Sequence, residues 1–219
     1  MDMARAAALE ILERCRRNNA WSSATIDSVI TKYSLDSRSA SLASGISLGV
    51  MQNSSLCDFY IDSYSWSKIE PKVRDILRSA VYQILFMDRI PDNAAVNEAV
   101  EQAKKLGFSR ASGFINAVLR KISTNKNNLP EIPNKGTSEY LAVRYSHPQW
   151  LAELIISEKG YDFAEAFLAA NNSVAKTTIQ LNTLKIVTDE FEESLKECGT
   201  VFEPHEWLQN CYNVSGKVT

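Results

Sequence analysis

The chain has 219 residues, 45% of them hydrophobic and 23% charged, with 24 basic and 26 acidic side chains. That is enough apolar material for a core without disulfide or metal staples, and no apolar run reaches the ~18–20 residues of a membrane span. Eight glycines and six prolines argue against a β-sandwich, collagenous or disordered chain, and four cysteines (15, 57, 198 and 211) without a Cys-x-x-Cys read as reduced cytoplasmic thiols rather than a zinc site.

The N-terminus has no basic region followed by an apolar stretch, so it is not a signal peptide. Residues 3–17 read as an amphipathic helix on Ala4, Ala8, Ile11, Leu12 and Cys15, with Arg14, Arg16 and Arg17 suiting its negative end. A short helix follows at 23–33. Asp36 or Ser37 caps a third helix through Leu42, Ile46 and Val50. Gly45 and Gly49 lie four apart on it, which predicts another helix packed close over that face. Residues 55–65 form a separate helical piece. Pro71 opens the most apolar helix, 71–88, predicted to be central. Asp92 caps a helix over 92–106 that Gly107 ends. Ser109 caps the next, 110–122, and the link Gly107–Phe108 forces the two into a hairpin.

Residues 123–138 break every periodicity with Asn, Pro, Gly and Lys and read as a linker. Helices follow at 139–145, 148–159 and 162–170. The stretch 177–182 alternates as a strand does. Thr188 caps a helix over 189–198, and 200–203 and 211–214 are short-strand candidates. The fold class is mainly α: a helical bundle, then a smaller α+β domain that reads as unfinished, because its sheet needs more strands to bury a face. Trp150 is expected in the core and His147 in a turn.

The near-neutral total hides an asymmetry. Residues 1–128 hold 17 basic and 13 acidic side chains, residues 129–219 hold 7 and 13. A basic first part points to a polyanion, with RNA the first candidate. Lys104, Lys105 and Arg110 are drawn together by the tight link. Arg120 and Lys121 lie about three turns along the second hairpin helix, and Arg5, Arg14, Arg16 and Arg17 add charge on the first helix. Cations so spaced suit phosphates along RNA. Asn97 and Asn116 fall on facing helices, either as a hydrogen-bonded pair or as base contacts. Asn116 is kept among the candidates.

Two stretches carry a family resemblance. RIPDNAAVNEAVEQAKKLG (89–107) with GFINAVLRKI (113–122) resembles the C-terminal hairpin of the NusB fold, an all-α RNA-binding domain of transcription antitermination factors. Ala4-Arg5 and residues 76–85 fit the same domain. AVRYSHPQWL (142–151), with LAANN (168–172) and TIQLNTLK (178–185), is similar to the RNA-binding region preceding the catalytic domain of rRNA cytosine-C5 methyltransferases, although Gln180 stands where that family usually carries Arg. The ordered pair resembles the Sun/RsmB family of 16S rRNA methyltransferases.

The resemblance implies a NusB-like RNA-binding domain (1–125), a linker (126–138) and an α+β RNA-binding region (139–219), with Asn171 and Asn172 joining the candidate RNA contacts. It implies S-adenosylmethionine as cofactor of a longer parent, and 16S rRNA and a C-terminal methyltransferase domain as partners. In that family a cysteine thiolate attacks C6 of cytosine so that C5 takes the methyl group. No Gly-x-Gly, Pro-Cys or Thr-Cys occurs here, so no residue of this chain is assigned to catalysis, cofactor or metal. The chain is expected to be inactive alone and cytoplasmic, without membrane contact. The rival readings are a non-enzymatic NusB-like factor binding RNA or a ribosomal protein, and a plain helical scaffold.

Overall fold

A computed structural model gives the fold and describes residues 2–18, 20–65 and 67–215. The chain divides into two compact units, Met1–Asn172 and Ser173–Thr219. The first begins with α1 (Met3–Asn18), α2 (Ser22–Tyr33), α3 (Ser37–Gln52), α4 (Ser54–Ser63), α5 (Pro71–Phe86), α6 (Asp92–Lys105) and α7 (Ser112–Thr124). Helix α5 packs against α1, α3, α4, α6 and α7. It can do so because Ile76, Leu77, Val81 and Ile84 are apolar and wholly buried, giving it more than the single stripe of a surface helix.

The segment after α7 has no regular structure, yet Leu129 and Ile132 pack on the main core. Helices α8 (Ser138–Arg144), α9 (Gln149–Lys159) and α10 (Tyr161–Asn171) follow in the same unit, around Leu141, Ala152, Ala164 and Leu168. Helix α8 lies on α4, and the Leu56 amide donates to Ser146 Oγ at 3.2 Å. By contact, therefore, residues 139–172 go with the helical bundle.

The second unit holds β1 (Thr177–Gln180), α11 (Thr188–Glu197), β2 (Val201–Pro204) and β3 (Cys211–Ser215). The sheet is antiparallel in the order β1-β3-β2, with Ile179 opposite Tyr212 and Phe202 opposite Val214. Its core is Leu181, Tyr212 and Val214, with Phe191 of α11 beside Tyr212. Among the described residues no helix is long and apolar enough to cross a membrane.

Several local expectations are corrected. Asp92 is not an N-cap: Pro91 takes that place, and the Asp92 carboxylate accepts from Ser123 Oγ at 2.9 Å. Ser109 opens a short 3₁₀ turn, Ser109–Ala111, before α7. Thr188 is the first residue of α11, after the N-cap Val187. Of the two candidates before α3, Asp36 is the cap, accepting from the Ser39 amide at 2.8 Å. Trp150 is 64% exposed, not core, because α9 turns Ala152 inward. Close packing over α3 holds at Gly49, where a Cβ would fall inside the Tyr82 ring, but Gly45 faces open space.

Candidate nucleic-acid interface

The hairpin of α6 and α7 is built by local hydrogen bonds. Gly107 takes φ +88°. The Phe108 amide donates to Ala103 O at 2.8 Å and the Gly107 amide to Lys104 O at 3.2 Å, the Schellman pattern that a left-handed glycine permits. This closure sets Lys104 and Lys105 on the last turn of α6 and Arg110 in the 3₁₀ turn just beyond.

Lys104 Nζ is 2.7 Å from Glu101 Oε1. Lys105, Arg110 and Lys121 are exposed and carry no carboxylate partner among the described residues. Arg120 is exposed, and its Nε donates to Asn116 Oδ1 at 3.0 Å, so Asn116 bonds Arg120 rather than pairing with Asn97. Beside the 3₁₀ turn lies a groove of about 770 Å³. Its apolar lining includes Ile69, Val73, Phe108 and Phe114, and Lys68 and Arg110 add cations to it. Sequence reasoning missed Lys68, since only folding brings residues 67–73 beside the hairpin.

The arginines of α1 are differently placed. Arg5 Nε donates to Gln83 Oε1 at 2.6 Å. Arg14 pairs with Glu10, which also accepts from Lys32 at 2.8 Å. Arg17 Nη1 is 3.5 Å from Glu13. Arg16 meets Asp75, a carboxylate only 3% exposed and also bonded by Arg78. Burial pushes the Asp75 carboxyl above its usual range against the pull of Arg16. Each α1 arginine thus has a partner within the bundle, whereas three hairpin cations have no carboxylate partner among the described residues.

Asn171 and Asn172 are carried by a different helix, α10. Asn171 is exposed, and Asn172 Nδ2 donates to Tyr145 O at 2.8 Å. His147 Nδ1 donates to the same carbonyl at 2.7 Å, in the turn before Pro148. Cys57 is wholly buried, and desolvation pushes its thiol up to about 12, too high for a thiolate nucleophile at neutral pH.

Residues 2–124 match the NusB family, more than half of the chain. The chain belongs to the NusB family. Residues 147–219 match a second family, the ferredoxin-like domain of RsmF/B-like methyltransferases. That match starts within the first compact unit, so the family boundary and the contact boundary differ.

Among curated relatives, the chain is 31% identical to a probable ribosomal RNA small subunit methyltransferase B of Bacillus subtilis, over 81% of this chain and 40% of that one. It is 28% identical to the Synechocystis protein of the same name, over 99% and 49%. A transcription antitermination protein NusB of Clostridium tetani is 44% identical, over 34% of this chain and 52% of its own. The chain thus spans less than half the length of the two methyltransferase relatives. The crystal structure of PH0851 matches the whole chain with 49% of its own, at TM-score 0.65 and 21% identity, a likeness of fold.

Proposed function

We propose that this chain is the RNA-positioning part of an S-adenosylmethionine-dependent 16S rRNA cytosine-C5 methyltransferase of the cytoplasm, inactive without a C-terminal catalytic domain. The observation that carries this reading is the order of the two matches, NusB then ferredoxin-like, with unpaired cations on the NusB hairpin. Lys105, Arg110 and Lys121 would meet backbone phosphates, with Arg120 beside them. Lys104, the α1 arginines, Asn116, Asn171 and Asn172 belong to the same proposed surface with a weaker geometric case, since all but Asn171 already bond within the chain. The functional division proposed is 1–125 and 139–219, joined by 126–138.

The residues present do not fit S-adenosylmethionine. The described sheet is antiparallel, and no strand of it feeds a Gly-rich loop and helix of the kind that cradles a nucleoside cofactor.

The test is a fourfold charge reversal, Lys104, Lys105, Arg110 and Arg120 each to Glu, titrated with a 16S rRNA fragment at several salt concentrations. Weaker binding with a flatter salt dependence is expected, because fewer counterions are released. Unchanged affinity and slope would remove the hairpin as the RNA surface. The second reading, a non-enzymatic antitermination factor, is favoured by the 44% identity to the Clostridium tetani protein. That likeness covers 34% of the chain, and the ferredoxin-like match outside it favours the methyltransferase reading.

A further inference from the structure

At the end of the hairpin away from Gly107, the N-terminal turns of α6 and the C-terminal turn of α7 enclose a cleft of about 330 Å³. It is lined by Asn93, Val96, Asn97, Arg120, Ser123 and Thr124. Five of these six side chains are able to hydrogen-bond, and Val96 is the apolar one, itself buried. Asn93 and Asn97 lie one turn apart on α6, and neither side chain has a hydrogen-bond partner among the described residues. Ser123 Oγ donates to Asp92 and keeps its lone pairs free to accept. The Arg120 Nε is held by Asn116 Oδ1, which fixes the guanidinium plane and leaves its two terminal nitrogens to donate.

Asn97 is the informative residue. Asn in a helix interior is a poorer helix former than Ala, because its amide competes with the backbone. At a cap it would recover that cost. Asn97 is six residues inside α6 and caps nothing. An exposed amide that returns nothing to the fold, turned into a recess beside a fixed guanidinium, is placed for a ligand that both donates and accepts. The recess is near the lower end of ligand-pocket sizes, roughly 300 Å³. That volume is of the order of one small planar group.

We infer that this cleft takes one unpaired RNA nucleobase, read through its hydrogen-bonding edge by Asn93 and Asn97, with Arg120 holding the adjoining phosphate. An amide offers a donor and an acceptor side by side, which is the geometry that pairs with a base edge, and RNA read by sequence presents splayed, single-stranded bases. The inference rests on the RNA-binding reading above and adds a discriminating element to it: the cations at the Gly107 end give affinity, and the cleft gives base preference.

The test titrates the 219-residue chain with oligo(A), oligo(C), oligo(G) and oligo(U) ribonucleotides of one length, across a salt series. The wild-type chain is expected to rank the four. The double variant Asn93→Ala, Asn97→Ala should lose about five- to tenfold for the preferred base, level the ranking and leave the salt slope unchanged, as loss of an edge contact requires. Ala is the better helix former at both positions, so such a loss is not unfolding. The pair Lys105→Glu, Arg110→Glu should weaken all four oligomers alike and flatten the slope. An unranked wild type, or an Asn variant that keeps affinity and ranking while the charge variant weakens all four, overturns the cleft and leaves the hairpin surface standing. No affinity of the wild type for any oligomer overturns both.

Discussion

Arg16 Nε and Asp75 Oδ2 are 2.9 Å apart across 59 residues of sequence. The carboxylate is buried and the guanidinium is about one-third exposed, so the pair ties α1 to α5 from the edge of the bundle. Asp75→Ala would leave Arg16 and Arg78 short of a partner in the same place. A loss of about 1–2 kcal/mol is expected, below the ~3–5 kcal/mol of a fully buried pair because Arg16 is partly exposed and Arg78 keeps Asp58, read as a lower denaturant midpoint with unchanged m-value. A variant within about 0.5 kcal/mol of wild type would show that the pair is solvated.

The two glycines of α3 should respond with opposite signs. Gly49→Ala puts a Cβ into the Tyr82 ring, which is half-buried against the core and stacked on Phe86. It should cost about 1–3 kcal/mol, as overpacking does. Gly45→Ala meets nothing within 4 Å and gains helix propensity, so it should stabilise by up to ~1 kcal/mol. Thermal melts of the two single variants check both signs.

Acid should act on the first unit partly through Glu13. A hydrogen bond from Lys72, at 2.7 Å, holds its carboxyl below the usual range of 4.5, with burial opposing and Arg17 assisting. A depressed folded value contributes stability that is present above the ordinary glutamate pKa and lost as pH falls through the folded one. Lys72→Met removes that contribution. The variant should be less stable than wild type near neutral pH, and the gap should narrow as pH falls from about 5 towards 3. Urea midpoints across that range read it; a gap independent of pH would assign the Lys72 effect to packing alone.

Single substitutions should separate free from paired cations. Lys105→Ala should lower the magnitude of the RNA salt slope by about 0.7, the share of one phosphate contact to a single strand. Lys104→Ala should lower it less, since Glu101 already neutralises Lys104 in the free chain. Equal slopes for the two variants would mean that the Lys104–Glu101 pair opens on binding.

Much of the fold could be read from the sequence because it is decided locally. The Gly107 turn is an example: its hydrogen bonds join residues no more than five apart, so a glycine in the right place predicts it. The central position of α5 follows from its apolar residues. The three strands fall within one or two residues of expectation, since alternation and turn residues mark them. The linker reading missed Leu129 and Ile132 against the core, because two apolar residues without periodicity carry no sign of what they meet.

The candidate surface was half legible. Counting cations finds nine on α1 and the hairpin but cannot tell which are occupied. Arg5 finds Gln83 and Arg16 finds Asp75, partners 78 and 59 residues away. Trp150 shows the same limit, for apolar character did not reveal that α9 would leave it 64% exposed.

By itself the sequence determined where the chain is helical or extended and where the α6–α7 hairpin closes, since helix periodicity and left-handed glycine turns involve neighbours in the chain. Only the tertiary structure decided which charges remain free, which glycine is covered and that Asn93, Asn97 and Arg120 share one recess. Those depend on long-range packing, where a carboxylate or an aromatic ring far along the chain fixes what a side chain can still bind.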